Sequence, residues 1–202
     1  MSFTYEKEDK KTPLEAFEWD NVWLEQTDFT DRKRVLYIGD SISCGTRREA
    51  TVLSDSTLLF DGFGTSKAVD NPYFQDSLRL FAAQEGYRSA IVFNNGLHGW
   101  HLNDTEEYPA YYKKTVDFLI KEFPDTPIFL ALTTAVKDEA REIRVCKRNE
   151  EVMKIAREYS LEIIDLHSVS AAAPELLAND GVHFTKEGYQ ALARKILDTV
   201  SK

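Results

Sequence analysis

Residues 34–46 read R-V-L-Y-I-G-D-S-I-S-C-G-T. An apolar, β-forming run ends on Gly39, and the chain turns small and polar at Asp40 and Ser41. A short apolar run bounded by glycine predicts a strand over 34–39. Two readings fit the serine that follows. Ser41 is the N-cap of a helix, where serine is among the preferred residues. Alternatively it is a nucleophile held at the tip of the strand. A hydroxyl is a weak nucleophile until a base takes its proton, so the second reading requires a base from elsewhere in the chain.

Four more apolar runs follow, at 57–60, 89–93, 127–132 and 161–166. Between and after them, apolar residues recur at helical spacing over 72–85, 107–122, 140–159 and 186–200, with Thr185 as the cap of the last. D-G-F-G-T-S-K (61–67) and N-N-G-L-H-G-W (94–100) read as loops. Short strands alternating with helices predict an α/β fold with three layers, α/β/α. Right-handed crossovers make it a doubly wound, five-stranded parallel sheet of flavodoxin-like order 2-1-3-4-5. In that order the loops after the first and third strands meet at the topological switch, outside the carboxyl ends, where ligands bind. Residues 1–30 read as an N-terminal extension packing on a domain of residues 31–202. Within it residues 1–12 look frayed, and Phe17, Trp19, Val22, Trp23 and Leu24 pack on the domain.

The 202 residues carry a net charge of −9 and no Lys/Arg cluster. That argues against a nucleic-acid groove or an anionic membrane surface as partner, since both need concentrated basic charge. No apolar stretch approaches the roughly 20 residues of a membrane span. The charged N-terminus lacks the apolar core of a secretory signal, so a cytoplasmic location is expected. Cys44 and Cys146 match no C-x-x-C pattern and read as reduced thiols. The four histidines form no dense Cys/His cluster, so neither a metal nor a cofactor is expected.

The candidate bases are His98, His101, His167 and His183. His183 lies in N-D-G-V-H-F-T (179–185), with Asp180 three residues before it. An acid on one ring nitrogen fixes the tautomer while the other nitrogen faces the nucleophile. The plainer reading makes Asp180-Gly181 a turn and His183 a loop histidine. This loop follows the fifth strand, so His183 falls on the same rim as Ser41.

Taken together, G-D-S at 39–41 and D-G-V-H at 180–183, followed by F-T-K-E-G-Y, resemble the GDSL/SGNH hydrolase superfamily. The resemblance runs from about residue 34 to the C-terminus. It implies a serine esterase in which Asp180 orients His183 and His183 activates Ser41. Two middle blocks depart from the family pattern. T-S-K (65–67) puts Lys67 where the family has its oxyanion glycine, with Gly64 or Ser66 as other sources of that N–H. G-L-H-G (96–99) puts His98 at the place of the oxyanion asparagine, as in a sub-branch that carries G-L-H. A neutral imidazole still donates one N–H. The implied oxyanion hole is therefore Ser41, Lys67 and His98.

Asp40, Trp100 and His101 flank the rim and are assigned to substrate contact. A cap or turn is the other reading for Asp40, and loop packing for the other two. The resemblance implies a small-molecule or oligosaccharide ester as substrate, with a short acyl group, acetyl, on a carbohydrate. Two rivals use the same rim: a non-catalytic sugar- or phosphate-binding module, and an O-acyltransferase.

Overall fold

The computed structural model describes residues 12–201. The expected fraying of residues 1–12 falls almost wholly outside that range. Six strands form one sheet in the order β1-β3-β2-β4-β5-β6. They are β1 Asp20–Trp23, β2 Lys33–Gly39, β3 Leu58–Thr65, β4 Ala90–Phe93, β5 Ile128–Ala131 and β6 Glu162–Ile164. The parallel strands β3-β2-β4-β5-β6 reproduce the expected 2-1-3-4-5 order. The count is corrected from five to six, because β1 adds an antiparallel edge beside β3.

Strand β2 shows why a continuous apolar run makes a central strand. Leu36 and Ile38 face one layer, with Phe63, Phe93 and Leu130. Val35 and Tyr37 face the other, with Phe60, Val92 and Ala131. Both faces are buried, so neither can be polar. The first layer is closed by α2 (Phe74–Ala82), α3 (Glu107–Glu122) and most of α4 (Glu139–Tyr159). The second is closed by α1 (Ser41–Leu53), α5 (Leu166–Ala171) and α6 (Lys186–Val200). Helices α3 and α6 coincide with the expected spans, whereas α2 is shorter than 72–85 and Pro72 lies outside it.

The glycine-rich segment 61–67 needs correction. Residues through Thr65 continue β3, and Gly62, Phe63 and Gly64 pair on both sides. Gly62 and Gly64 are there to let α1 approach. A side chain at Gly62 would run into Arg47, and one at Gly64 into Cys44 Sγ. Among the N-terminal apolar residues, Trp19 and Leu24 are half-buried, while Phe17, Val22 and Trp23 are exposed. Among the described residues no helix is long and apolar enough to cross a membrane.

Candidate active site

Strand β2 delivers Ser41 to the sheet's carboxyl rim as the first residue of α1. The cap of that helix is Asp40, not Ser41: its Oδ1 accepts from the Ile42 amide at 2.9 Å. Ser41 is thereby left with a side chain that capping does not use. Its amide is one of the orphan donors of a helix N-terminus. Asp40 is 1 % exposed, and its burial pushes the carboxyl up to about 6 against the lowering pull of the Ile42 amide and His183. This corrects the assignment of Asp40 to substrate contact, because the carboxylate is enclosed beneath the helix start.

The loop before α6 brings the second group. Gly181 adopts φ +72°, which permits a tight turn that a β-carbon would strain. The turn is held by Ala178 N to His183 O (2.7 Å) and Lys137 N to Gly181 O (2.8 Å). Asp180 Oδ1 accepts from the Val182 and His183 amides, both at 2.9 Å. Its Oδ2 meets His183 Nδ1 at 2.8 Å, and His183 Nε2 meets Ser41 Oγ at 2.8 Å. The two readings of Asp180 thus coincide: one carboxylate oxygen makes the turn and the other holds the ring. Burial raises the Asp180 carboxyl, but the two amides and the His183 ring outweigh it and bring it down to about 2. Both side chains remain open to solvent, at 54 % for Asp180 and 41 % for His183.

The loops after β3 and β4 close the other side. Asn94 N donates to Ile38 O at 2.9 Å, so the chain leaves β4 beside the end of β2. Asn95 Nδ2 donates to Lys67 O at 2.8 Å and ties the two loops together. His98 is buried in this loop, with its ring edge-on to Trp19 at 6.2 Å between centroids. The Lys67 amide donates to Thr65 Oγ1 at 3.0 Å, and the Ser66 amide to Trp19 O at 3.1 Å. Both are engaged within the protein, and Lys67 Nζ pairs with Asp20 at 2.8 Å.

Trp100 does not wall the rim. It is buried at 3 % exposure and covered by the guanidinium groups of Arg141, Arg144 and Arg148, the last 4.5 Å from the ring centroid. His101 is half-buried with Nε2 2.6 Å from Asp70 Oδ2. The residue that sequence reasoning missed is Arg148. It is fully buried and donates to Gly96 O (3.0 Å), His98 O (2.8 Å) and Gly99 O (2.8 Å). Asp104 Oδ1 accepts from its Nε at 2.7 Å. The signal was present: Arg148 lies on the stripe Val145, Val152, Ile155 that α4 turns to the core.

No family model and no curated protein matches the sequence. Solved structures do. A lipolytic protein of the G-D-S-L family from Veillonella parvula superposes with a TM-score of 0.69 at 17 % identity, over 84 % of this chain and 99 % of that one. The fold is that of the GDSL hydrolases. A lipase/acylhydrolase from Enterococcus faecalis gives a TM-score of 0.64 at 16 % identity, covering 83 % of this chain and 95 % of that one. A catalytic mutant of an acetylxylan esterase from Geobacillus stearothermophilus gives 0.64 at 16 %, covering 84 % and 94 %. With this GDSL fold, the Ser41–His183–Asp180 relay sits at the carboxyl rim of the parallel strands.

Proposed function

We propose that the chain is a serine ester hydrolase, and the observation that carries this reading is the unbroken relay Asp180–His183–Ser41, with both hydrogen bonds at 2.8 Å. Ser41 Oγ attacks the ester carbonyl while His183 Nε2 takes its proton. The tetrahedral oxyanion collapses, the C–O bond to the alcohol breaks, and His183 returns the proton to the leaving oxygen. Water, deprotonated by His183, then cleaves the acyl-serine and restores the hydroxyl. Asp180 keeps Nδ1 protonated and stabilises the imidazolium at each transfer. The oxyanion is met by the Ser41 amide and by His98. Lys67 joins them only by giving up its bond to Thr65 Oγ1. Every atom that moves belongs to the ester, water, Ser41 or His183, so this chemistry asks for no cofactor.

The preferred acyl group is acetyl and the alcohol a carbohydrate. The exposure of His183 and Asp180 supports a small acyl group, since a long chain is held by burial in an apolar trough. The acetylxylan esterases among the structural neighbours support the sugar. The test is a panel of aryl esters of rising chain length beside acetylated oligosaccharides. Rates should fall from acetate to octanoate, and acetate should be released from the oligosaccharides. Turnover that rises with chain length would overturn the acetyl assignment. Acyl groups appearing on an added sugar alcohol faster than as free acid would make the chain a transferase.

A further inference from the structure

Away from the relay, the structure gathers three side chains of different donor chemistry. Glu142 and Cys146 stand one turn apart on α4, and His167 faces them from α5. Glu142 Oε1, Cys146 Sγ and His167 Nε2 all lie within 4.8 Å of one another. We propose that Glu142, Cys146 and His167 form a binding site for a divalent transition metal of the zinc type. The proposal is independent of the esterase reading.

Three observations carry it. The first is the donor set. Thiolate, imidazole and carboxylate are the ligands of zinc, and three protein ligands leave a fourth, tetrahedral position for water. The second is spacing. Zinc bonds of about 2.0 to 2.3 Å at tetrahedral angles hold ligand atoms roughly 3.4 to 3.6 Å apart. Cys146 Sγ lies 3.7 Å from Glu142 Oε1 and 3.8 Å from His167 Nε2, so two of the three ligand spacings already match those around an ion. Only the 2.7 Å contact of His167 Nε2 with Glu142 Oε1 must open, as a metal replaces the proton that bridges them. The third is support. The other Glu142 oxygen, Oε2, accepts from the Val136 amide at 2.8 Å, which fixes the carboxylate as an outer hydrogen bond fixes a ligand. A cavity of about 490 Å³, lined by Val136, Glu142 and Ser170 among others, opens beside Glu142 and admits solvent.

Loading moves two protons. The Cys146 thiol loses its hydrogen to solvent as the S–metal bond forms. The Nε2 hydrogen of His167 is exchanged through solvent for one on Nδ1, which frees the Nε2 lone pair for the metal. Burial and the neighbouring Glu142 hold the Cys146 thiol protonated above the usual range, so metal must compete with a proton for it. No dense Cys/His cluster stands in the sequence because the ligands come from two helices, at 142, 146 and 167.

The test uses tag-free protein stripped with a chelator and titrated with Co²⁺, then with Zn²⁺. The expected result is one equivalent of Co²⁺ with a near-ultraviolet thiolate-to-cobalt band and the intense visible bands of a tetrahedral site, all bleached by Zn²⁺. Cys146→Ser should remove the thiolate band and Cys44→Ser should leave it intact. His167→Ala and Glu142→Gln should weaken binding by at least the 10- to 100-fold typical of losing an outer partner. Far-UV circular dichroism confirms that each variant is folded. Absence of a thiolate band in the wild type at millimolar Co²⁺ would overturn the proposal. So would a band that follows Cys44 instead of Cys146.

Discussion

Asp180 does two jobs with two oxygens, and they separate by mutation. Asp180→Asn keeps an acceptor for the Val182 and His183 amides but can place an N–H against His183 Nδ1, which favours the wrong tautomer. The turn should survive, while kcat falls by on the order of 10⁴ with little change in KM. Steady-state kinetics on an aryl acetate check this, and an effect confined to KM would leave Asp180 as a turn residue only. Asp40 invites a different measurement. Its native pKa of about 6 lies above the roughly 3.9 of an unfolded aspartate. Between those values the native state holds a proton that the unfolded state lacks, so this group's contribution falls as pH rises toward and through 6. Asp40→Asn retains a capping oxygen for Ile42 and abolishes the titration. Urea denaturation from about pH 4 to about pH 8 should show the stability difference moving steadily in favour of the variant. A difference that does not change with pH would refute the buried charge.

The loop that carries His98 has little regular structure of its own and is held from beneath by α4. Arg148 reaches three of its carbonyls, with Asp104 and the Trp100 and Tyr108 rings fixing the guanidinium. A lysine cannot reproduce that fork. Arg148→Lys should therefore lower kcat at least tenfold with KM little changed, and His98→Ala by the 10² to 10³ typical of one oxyanion donor. If Arg148 acts by positioning His98, the double variant should be little worse than His98→Ala alone. Independent, additive losses would mean that Arg148 serves only the core. The sequence showed α3, α4 and α6 plainly because their apolar stripes are long. It showed α1 only as one reading of Ser41, because Ser41, Ser43, Gly45, Thr46 and Thr51 are weak helix formers held by packing on β3 and α6. It hid the end of β3 for a related reason: Gly62 and Gly64 look like a loop until the helix they admit is present.

The whole molecule explains why residues 142 positions apart come within hydrogen-bond distance. A parallel sheet places the ends of β2 and β6 on one rim, and α1 packs against α6, so the chain's two motifs face each other across that packing. The strand order, and with it the shared rim of Ser41 and His183, was legible because strand runs and crossover hands obey general rules; their pairing was implied by the resemblance of the two motifs to the GDSL/SGNH hydrolases. The edge strand β1 was not legible, because D-N-V-W carries little apolar signal and pairs only along one side. Packing was one of two readings for Trp100, and its arginine cover was not legible, since it comes from α4. The central claim is that Ser41 is the nucleophile and His183 its base. It is tested most directly by treating the protein with an aryl phosphonate ester, followed by intact-mass and peptide mass spectrometry. The account predicts a single phosphonyl adduct on Ser41, absent in Ser41→Ala and slowed at least 10³-fold in His183→Ala. An adduct on another residue, or aryl acetate hydrolysis at the wild-type rate by folded Ser41→Ala, would contradict it.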